Sequence, residues 1–394
     1  ILFLSSLTYS VYSVMMIIID YLEFKIIIDY KLIYNSENID FPIVTFCNIN
    51  RFDFSIQKNV LKFYEEAKGL PFFEDIYYIN DNKTLCTKTD KQKITSSFTR
   101  IKNLKDYAFH YEKMIINCYF NNLPCNISAD FSFFNATSFG RCFTFNQLSN
   151  KISKSVGMID ALNLEIFIGA PEFDPCWVSE RGIVVTVYDK DNMVVISEEG
   201  LKVQPGYSTN LMLGKVERNK LSYPYSDCFS INQTDRIDKN SHIKQTIEKN
   251  GFYSQRRCIL SCNLNKNTLN CTSSNKDPDC EKYNSEDFCI SQCPINCDIS
   301  NYEMMTTYAQ YPTKSYMNQL KNNPKFINAF QNVSNLDYEE IRQSLLALNI
   351  YFQTSIIESY KEYPQTDFST FLSEIGGVVG LFLGKNTYII HTNI

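Results

Sequence analysis

At 394 residues and 44% hydrophobic, the chain is long enough for two or three compact units and too apolar for wholesale disorder. A formal net charge of -5, with acidic and basic residues interleaved, excludes the basic stripe that nucleic acid demands, so no nucleic-acid partner is expected. With three histidines (His110, His242 and His391) and no HExxH, GxSxG or phosphate-binding glycine loop, the sequence shows no enzyme machinery, cofactor site or resident metal site.

The chain opens on Ile1 rather than Met, which reads as a start inside a longer protein. Ile1 to Ile19 is uncharged and about long enough to cross a bilayer core of roughly 30 Å as a helix. The alternative, the apolar part of a signal peptide, is usually only about 7 to 15 residues and is followed by a small-residue cleavage site, absent here. A charged stretch, Tyr21 to Asp40, leads into FPIVTFCNIN, whose β-branched alternation after Pro42 predicts a strand. Residues 54–117 are polar and mixed, with helical patches such as VLKFYEEAK. FGRCFTFNQ (139–147) reads as a strand, and LNLEIFIGA, GIVVTVYD, MVVISEEG and GYSTNLML as β-rich runs parted by Gly, Pro and Asp turns. Asp189, Asp191 and Asn192 read as a polar turn rather than a calcium loop.

Between Ser241 and Cys262 the pattern turns helical, with Cys258 and Cys262 four apart on one face. A helical, cysteine-stapled unit is expected to about Asn323, after which NIYFQTSIIESYKEY alternates as strands. In the last apolar run Gly376, Gly377, Gly380 and Gly384 form one helical stripe.

Fourteen cysteines, an even number, accompany sequons at Asn82, Asn126, Asn135, Asn232, Asn270 and Asn332. Together they place the middle of the chain in an oxidising, extracellular compartment. Cys258, Cys262, Cys289 and Cys293 have the count of a four-thiolate zinc site, but that compartment favours disulfides.

Five motifs occur in order: FPIVTFCNIN (41–50), GRCFTFN (140–146), VQPGYSTNL (203–211), LSYPYSDC (221–228) and IGGVVGLFLG (375–384). Through them essentially the whole chain resembles the degenerin/epithelial sodium channel superfamily. The resemblance implies an α+β fold: two transmembrane helices flanking a large disulfide-rich extracellular domain with palm, finger and thumb, in a homo- or heterotrimeric channel. Implied partners are related subunits, the lipid bilayer, Na+ as permeant ion and an amiloride-like blocker. The protein would be multi-pass in the plasma membrane with both termini cytosolic. The expected divisions are 1–19 first membrane helix, 20–53 wrist and first palm strand, 54–138 finger, 139–227 palm and β-rich core, 228–323 thumb, 324–372 returning palm strands, and 373–394 second, pore-lining helix. A secreted or single-pass cysteine-rich binding glycoprotein is the alternative, and the glycine-striped C-terminal run argues against it.

The resemblance also implies nested thumb bridges: Cys228 to Cys297, Cys258 to Cys293, Cys262 to Cys289, and Cys271 to Cys280. Outside the thumb it pairs Cys47 with Cys142 and Cys118 with Cys125, leaving Cys86 with Cys176. Phe24 and Tyr225 would couple thumb to pore at the wrist. Ser373 would occupy the gate position where small residues let the pore close; its other reading is a helix N-terminal Ser. Glu374 would sit at the extracellular mouth, Gly376 and Gly377 at the close approach, and Gly380 at the blocker position. Acid-sensing members carry histidines after the wrist aromatic, whereas Phe24 is followed by Lys25 and Ile26, which disfavours proton gating and leaves peptide, mechanical and constitutive gating open.

The family filter, Gly-x-Ser, falls here on Gly384, Lys385 and Asn386. A lysine in mid-membrane costs at least about 2.5 kcal/mol and opposes cations. Residues 385–394 therefore read as intron sequence: Gly-Lys can be spelled GGTAAG, which contains a splice-donor start. The alternative is a truncated, non-conducting subunit. Transcript sequencing is expected to show a message continuing Gly384 into a small residue, a Ser and an apolar half-helix; an abundant message encoding Lys385 and Asn386 would contradict this.

Overall fold

The structure, a computed structural model, describes residues 2–34, 38–50, 53, 108–136, 139–169, 180–190, 196–230, 241–250, 253–268, 288–330 and 337–384. Cys86, Cys176, Cys271, Cys280, Asn82, Asn232, Asn270, Asn332, Lys385 and Asn386, with most of the expected finger, lie outside the described residues. The main strands are β1 (Ile26–Tyr34), β2 (Ile43–Asn48), β3 (Ile115–Phe120), β4 (Phe131–Ala136), β5 (Gly140–Phe145), β6 (Leu162–Phe167), β7 (Ile183–Tyr188), β8 (Leu201–Val203), β9 (Tyr207–Asn219), β10 (Asp298–Gln310) and β11 (Leu345–Pro364). The main helices are α1 (Leu2–Leu22), α2 (Ser241–Asn250), α3 (Gln255–Thr268), α4 (Phe288–Gln292), α5 (Lys314–Leu320), α6 (Pro324–Ala329), α7 (Tyr338–Ser344) and α8 (Phe368–Val379).

The chain forms two compact units. The first, Tyr34–Lys215 with Asn301–Ile357, rests on two sheets. One has the order β8-β7-β2-β5-β4; the other runs β10-β9-β11-β6-β3. β7, IVVTVY, is β-branched almost throughout and sits inside its sheet, so a continuous apolar run is stable there. β6 alternates instead: Leu162, Leu164 and Ile166 are buried, while Asn163 and Glu165 are half-buried. Phe41 draws the two sheets into one core, its ring 4.9 Å from Phe120, 6.0 Å from Phe145 and 6.2 Å from Phe352. Full burial of each such ring contributes roughly 1.5–3 kcal/mol.

Cys47 and Cys142 face each other directly in the β2–β5 ladder and are bonded, with Cα atoms 4.3 Å apart across a sequence separation of 95. A one-residue slip would turn every side chain to the wrong face, so a cross-strand bond at this point fixes the register. Cys118 and Cys125 close a short loop of separation 7.

The second unit, Ile1–Ile33, Val216–Ser300 and Glu358–Ile394, carries three further bridges. Cys228–Cys297, Cys258–Cys293 and Cys262–Cys289 have separations of 69, 35 and 27. The last two join α3 to α4 and its C-terminal flank as nested rungs, with Phe229, Ile243 and Tyr253 packed around the Cys258–Cys293 bond. Those four thiols are spent as disulfides, so a four-thiolate zinc site is not built. Two further helices, α1 and α8, pack against each other.

Several sequence readings need correction: besides the strand β11, the stretch 324–372 expected as returning strands holds the helices α6 and α7, each started by a capping side chain, Asn323 and Asp337. Within MVVISEEG, Ile196–Glu199 is a helical turn, not a strand. Gly200 closes it, donating its N–H to Ile196 O at 3.1 Å, and a Cβ on Gly200 would lie 2.0 Å from Val184 Cγ1. The stretch expected to stay helical to Asn323 contains β10, in which Tyr302 and Met304 are half-buried between exposed neighbours, a period of two. The last helix begins at Phe368, five residues before Ser373, because Asp367 caps it by accepting the Thr370 N–H at 2.7 Å.

Replacing Cys47 and Cys142 together by valine is expected to destabilise the protein by about 2–5 kcal/mol, the usual cost of losing a native bridge. Thermal unfolding of the full-length protein in detergent checks this; an unchanged melting temperature would show that the β2–β5 register needs no bond.

Candidate functional site

The motifs at Phe24, Leu221–Cys228 and Ser373–Gly384 all fall in the second unit. α1 has 21 residues, about 31 Å at 1.5 Å per residue, and from Leu4 to Leu22 it is long and apolar enough to cross a bilayer. α8 continues as one turn of π-helix, Gly380–Gly384, and the apolar helix Phe368–Phe382 is shorter.

The two helices meet along matched stripes. On α1, Ser6, Ser10, Ser13, Ile17 and Tyr21, with Val14 beside Ser13, are the more buried positions, the first five at helical spacings of four and three. Ser10 is only 3% exposed. Small residues let helices approach closely without relying on apolar attraction, which lipid does not supply. On α8 and its π-turn the half-buried positions are Phe371, Ile375, Val378 and Phe382. Tyr21 stacks on Phe371 at 4.2 Å, and Tyr9 meets Phe382 at 5.0 Å. Ser6 Oγ donates to the Phe382 carbonyl at 2.8 Å, satisfying an acceptor in the π-turn.

That arrangement leaves Ser373, Glu374, Gly376, Gly377 and Gly380 exposed. A Cβ added at any of these three glycines would meet nothing within 4 Å, so the space beside them is open. Ser373 donates its hydroxyl to Ser369 O at 2.9 Å, inside the helix, so it is not the N-cap. Gly384 is the last described residue.

Next to the helices lies the segment expected to form the wrist. Phe24, two residues past α1, lies in the left-handed region, φ 48°, a conformation that costs a side-chain-bearing residue roughly 1–2 kcal/mol. Its ring is held edge-on to Tyr225 at 5.5 Å and tilted to Tyr21 at 6.3 Å. Gln365 N–H donates to Lys25 O at 2.9 Å, and Glu362 accepts the Leu221 N–H, also at 2.9 Å, anchoring the turn that presents Tyr225. Sequence reasoning missed the serine stripe, Tyr21, Phe371, Glu362 and Gln365. Helical spacing could have found the first three; the last two needed the fold.

Charge at the wrist is fixed. The Lys25 ammonium donates to Asp20 and lies 2.8 Å from Glu23, bonds that push its pKa above the usual lysine range. Asp367 is held below the ordinary carboxylate range, chiefly by the Thr370 N–H and then by the Thr370 and Ser369 side chains. Burial pushes the Tyr225 phenol up.

These motifs lie in an α+β, disulfide-rich chain whose two apolar end segments pair. The model of the amiloride-sensitive sodium channel family matches residues 1–386. Similar proteins include the epithelial sodium channel subunit gamma of Rattus norvegicus, 24% identical over 70% of this chain and 45% of that protein. Acid-sensing ion channel 1 of Gallus gallus is 25% identical over 89% of this chain and 69% of its own length. The chain thus spans about half the length of the gamma subunit it matches and about two thirds of the acid-sensing channel. It belongs to the amiloride-sensitive sodium channel family.

The Phe24 and Tyr225 rings are expected to be coupled by about 0.5–1.5 kcal/mol in a double-mutant cycle of alanine variants read by thermal unfolding, and additive single effects would contradict this. Lys25, with a raised pKa, contributes stability that is present below about pH 10 and lost only as pH rises through its folded value. Asp367, with a lowered pKa, contributes stability that is present above about pH 4 and lost only as pH falls through its folded value. Neither changes charge between about pH 8 and pH 5.5, so the cycle is expected to give the same coupling at both.

Proposed function

We propose that the protein is a subunit of a trimeric, sodium-selective cation channel of the plasma membrane. The region between its paired helices lies outside the cell, and both termini are cytosolic. The observation that carries this reading is the division of α8 into two faces. Phe371, Ile375, Val378 and Phe382 make the more buried stripe, with Phe371 and Phe382 packed on α1. Ser373, Gly376, Gly377 and Gly380 face open space. Three copies related by three-fold symmetry would bring those small residues together around a narrow pathway.

In that assembly three Glu374 carboxylates ring the extracellular mouth and concentrate cations, while anions are repelled. Ser373 is the small residue that lets the gate close, and Gly380 leaves the space an amiloride-like blocker takes. Gly384 opens the filter, whose remaining positions lie beyond the described residues. Force from the disulfide-braced α3–α4 unit reaches α1 through Tyr225 and Phe24, and α8 through Gln365 and the Tyr21–Phe371 stack. No histidine stands at Lys25 or Ile26, which disfavours proton gating through the wrist.

The test is voltage clamp of cells expressing the full-length protein. An inward current is expected in external Na+ that disappears when a large organic cation replaces it and falls on adding amiloride. Ser373→Phe is expected to raise the standing current several-fold, because three bulky rings prevent closure, whereas Ser373→Ala should change it little. A channel that closes normally with Ser373→Phe would refute the gate assignment. A surface-expressed protein with no cation current, alone or with related subunits, would refute the channel reading.

A further inference from the structure

Among the described residues β4 ends its sheet, and it carries aromatic surface: Phe133 is 62% exposed and Phe134 43%. An edge strand bearing exposed aromatic side chains is a template for pairing with other chains, and folded proteins cover or blunt such edges. Two residues beyond Phe133 stands Asn135, also exposed, followed by Ala136 and Thr137 in a glycosylation sequon. Side chains alternate along a strand, so Phe133 and Asn135 share one face, roughly 7 Å apart. The register sets Phe133 opposite Phe143 and Asn135 opposite Arg141. The Arg141 guanidinium lies 5.4 Å from the Phe133 ring centroid, steadied by contacts of 3.5 Å to Phe109 O and 3.4 Å to His110 Nδ1. It holds the ring in place while most of the ring surface stays open.

We propose that Asn135 carries an N-linked glycan whose first N-acetylglucosamine lies on the Phe133 ring and covers the β4 edge. The inference rests on the extracellular placement proposed above. The bond formed joins the Asn135 amide nitrogen to C1 of the sugar. The bond broken joins C1 to the diphosphate of a lipid-linked oligosaccharide donor; the lipid diphosphate leaves with the bonding electrons and the amide gives up one proton. One face of a pyranose presents C–H bonds with slight positive charge, complementary to the negative face of an aromatic ring. An asparagine side chain plus one sugar spans the distance back to residue i−2. Asn126, exposed and in the sequon Asn126-Ile127-Ser128, has Pro124 at that position and serves as the internal comparison.

The test uses the full-length protein from secretory cells. Peptide mapping after glycosidase treatment in heavy-oxygen water reads occupancy at each sequon. Asn135 is expected to be occupied. Removing its glycan with Thr137→Ala, which leaves Asn135 itself in place, is expected to lower the melting temperature by about 2 °C or more. In a Phe133→Ala background the same change should be near zero, and Phe133→Trp should restore it. Phe133→Leu, which keeps bulk without an aromatic face, replaces the alanine variant if that one does not fold. An empty Asn135 beside an occupied Asn126 would overturn the inference and leave the extracellular placement standing. Empty sequons throughout would remove both. Equal shifts with and without the aromatic ring would show that the sugar does not use Phe133.

Discussion

A helix in lipid gains little by burying apolar side chains against another helix, because the lipid is equally apolar; close packing and hydrogen bonds must hold the pair. In this protein α1 meets that constraint with Ser6, Ser10 and Ser13 along its more buried stripe, with Ser6 bonded to the Phe382 carbonyl and with Tyr9 and Tyr21 against Phe382 and Phe371. Two segments from opposite ends of the chain are thereby joined, and the small residues of α8 are turned away from α1. Had Gly376, Gly377 and Gly380 been spent on the α1 contact, they would not be available to the proposed ion pathway.

The wrist depends on the same pairing. Phe24 adopts a left-handed backbone that an aromatic residue does not choose alone, and rings on both sides hold it there. Because Lys25 is bonded to Gln365 through its backbone and to Asp20 and Glu23 through its side chain, the exit from α1 and the approach to α8 share one short segment. The thumb-like helices are braced independently by nested bridges, which restrict the unfolded chain more as the loops they close lengthen. Disulfides therefore supply rigidity next to the wrist, where, among the described residues, apolar burial centres on the small cluster around Phe229 and Tyr253.

Much of this was legible in the sequence wherever a local period was clean. β-branched or alternating runs between turn residues point to β2, β5, β6, β7 and β11, and Cys258 with Cys262 marks the face of α3. The family motifs placed Phe24 and Tyr225, which the structure brings to 5.5 Å. Legibility failed where long-range pairing overrode local signals. β10 lies inside a region whose cysteine spacing reads as helical, and β1 lies inside a stretch that reads as charged, although Ile28–Leu32 alternates apolar and charged residues. The sequence reading starts α8 at Ser373, whereas Asp367, a cap residue legible in the sequence, starts it at Phe368. Glu362 and Gln365 act on backbone groups 141 and 340 positions away in sequence, a relation no local pattern encodes.

The central claim is that one face of α8 lines the ion pathway and the other is committed to α1. Single cysteines introduced in the full-length protein at Ser373, Gly377, Ile375 and Val378, each exposed to a charged, water-soluble thiol reagent under voltage clamp, test it directly. The account predicts that the current changes on modification at Ser373→Cys and Gly377→Cys and stays constant at Ile375→Cys and Val378→Cys. The reverse pattern, or equal modification at all four, would contradict it.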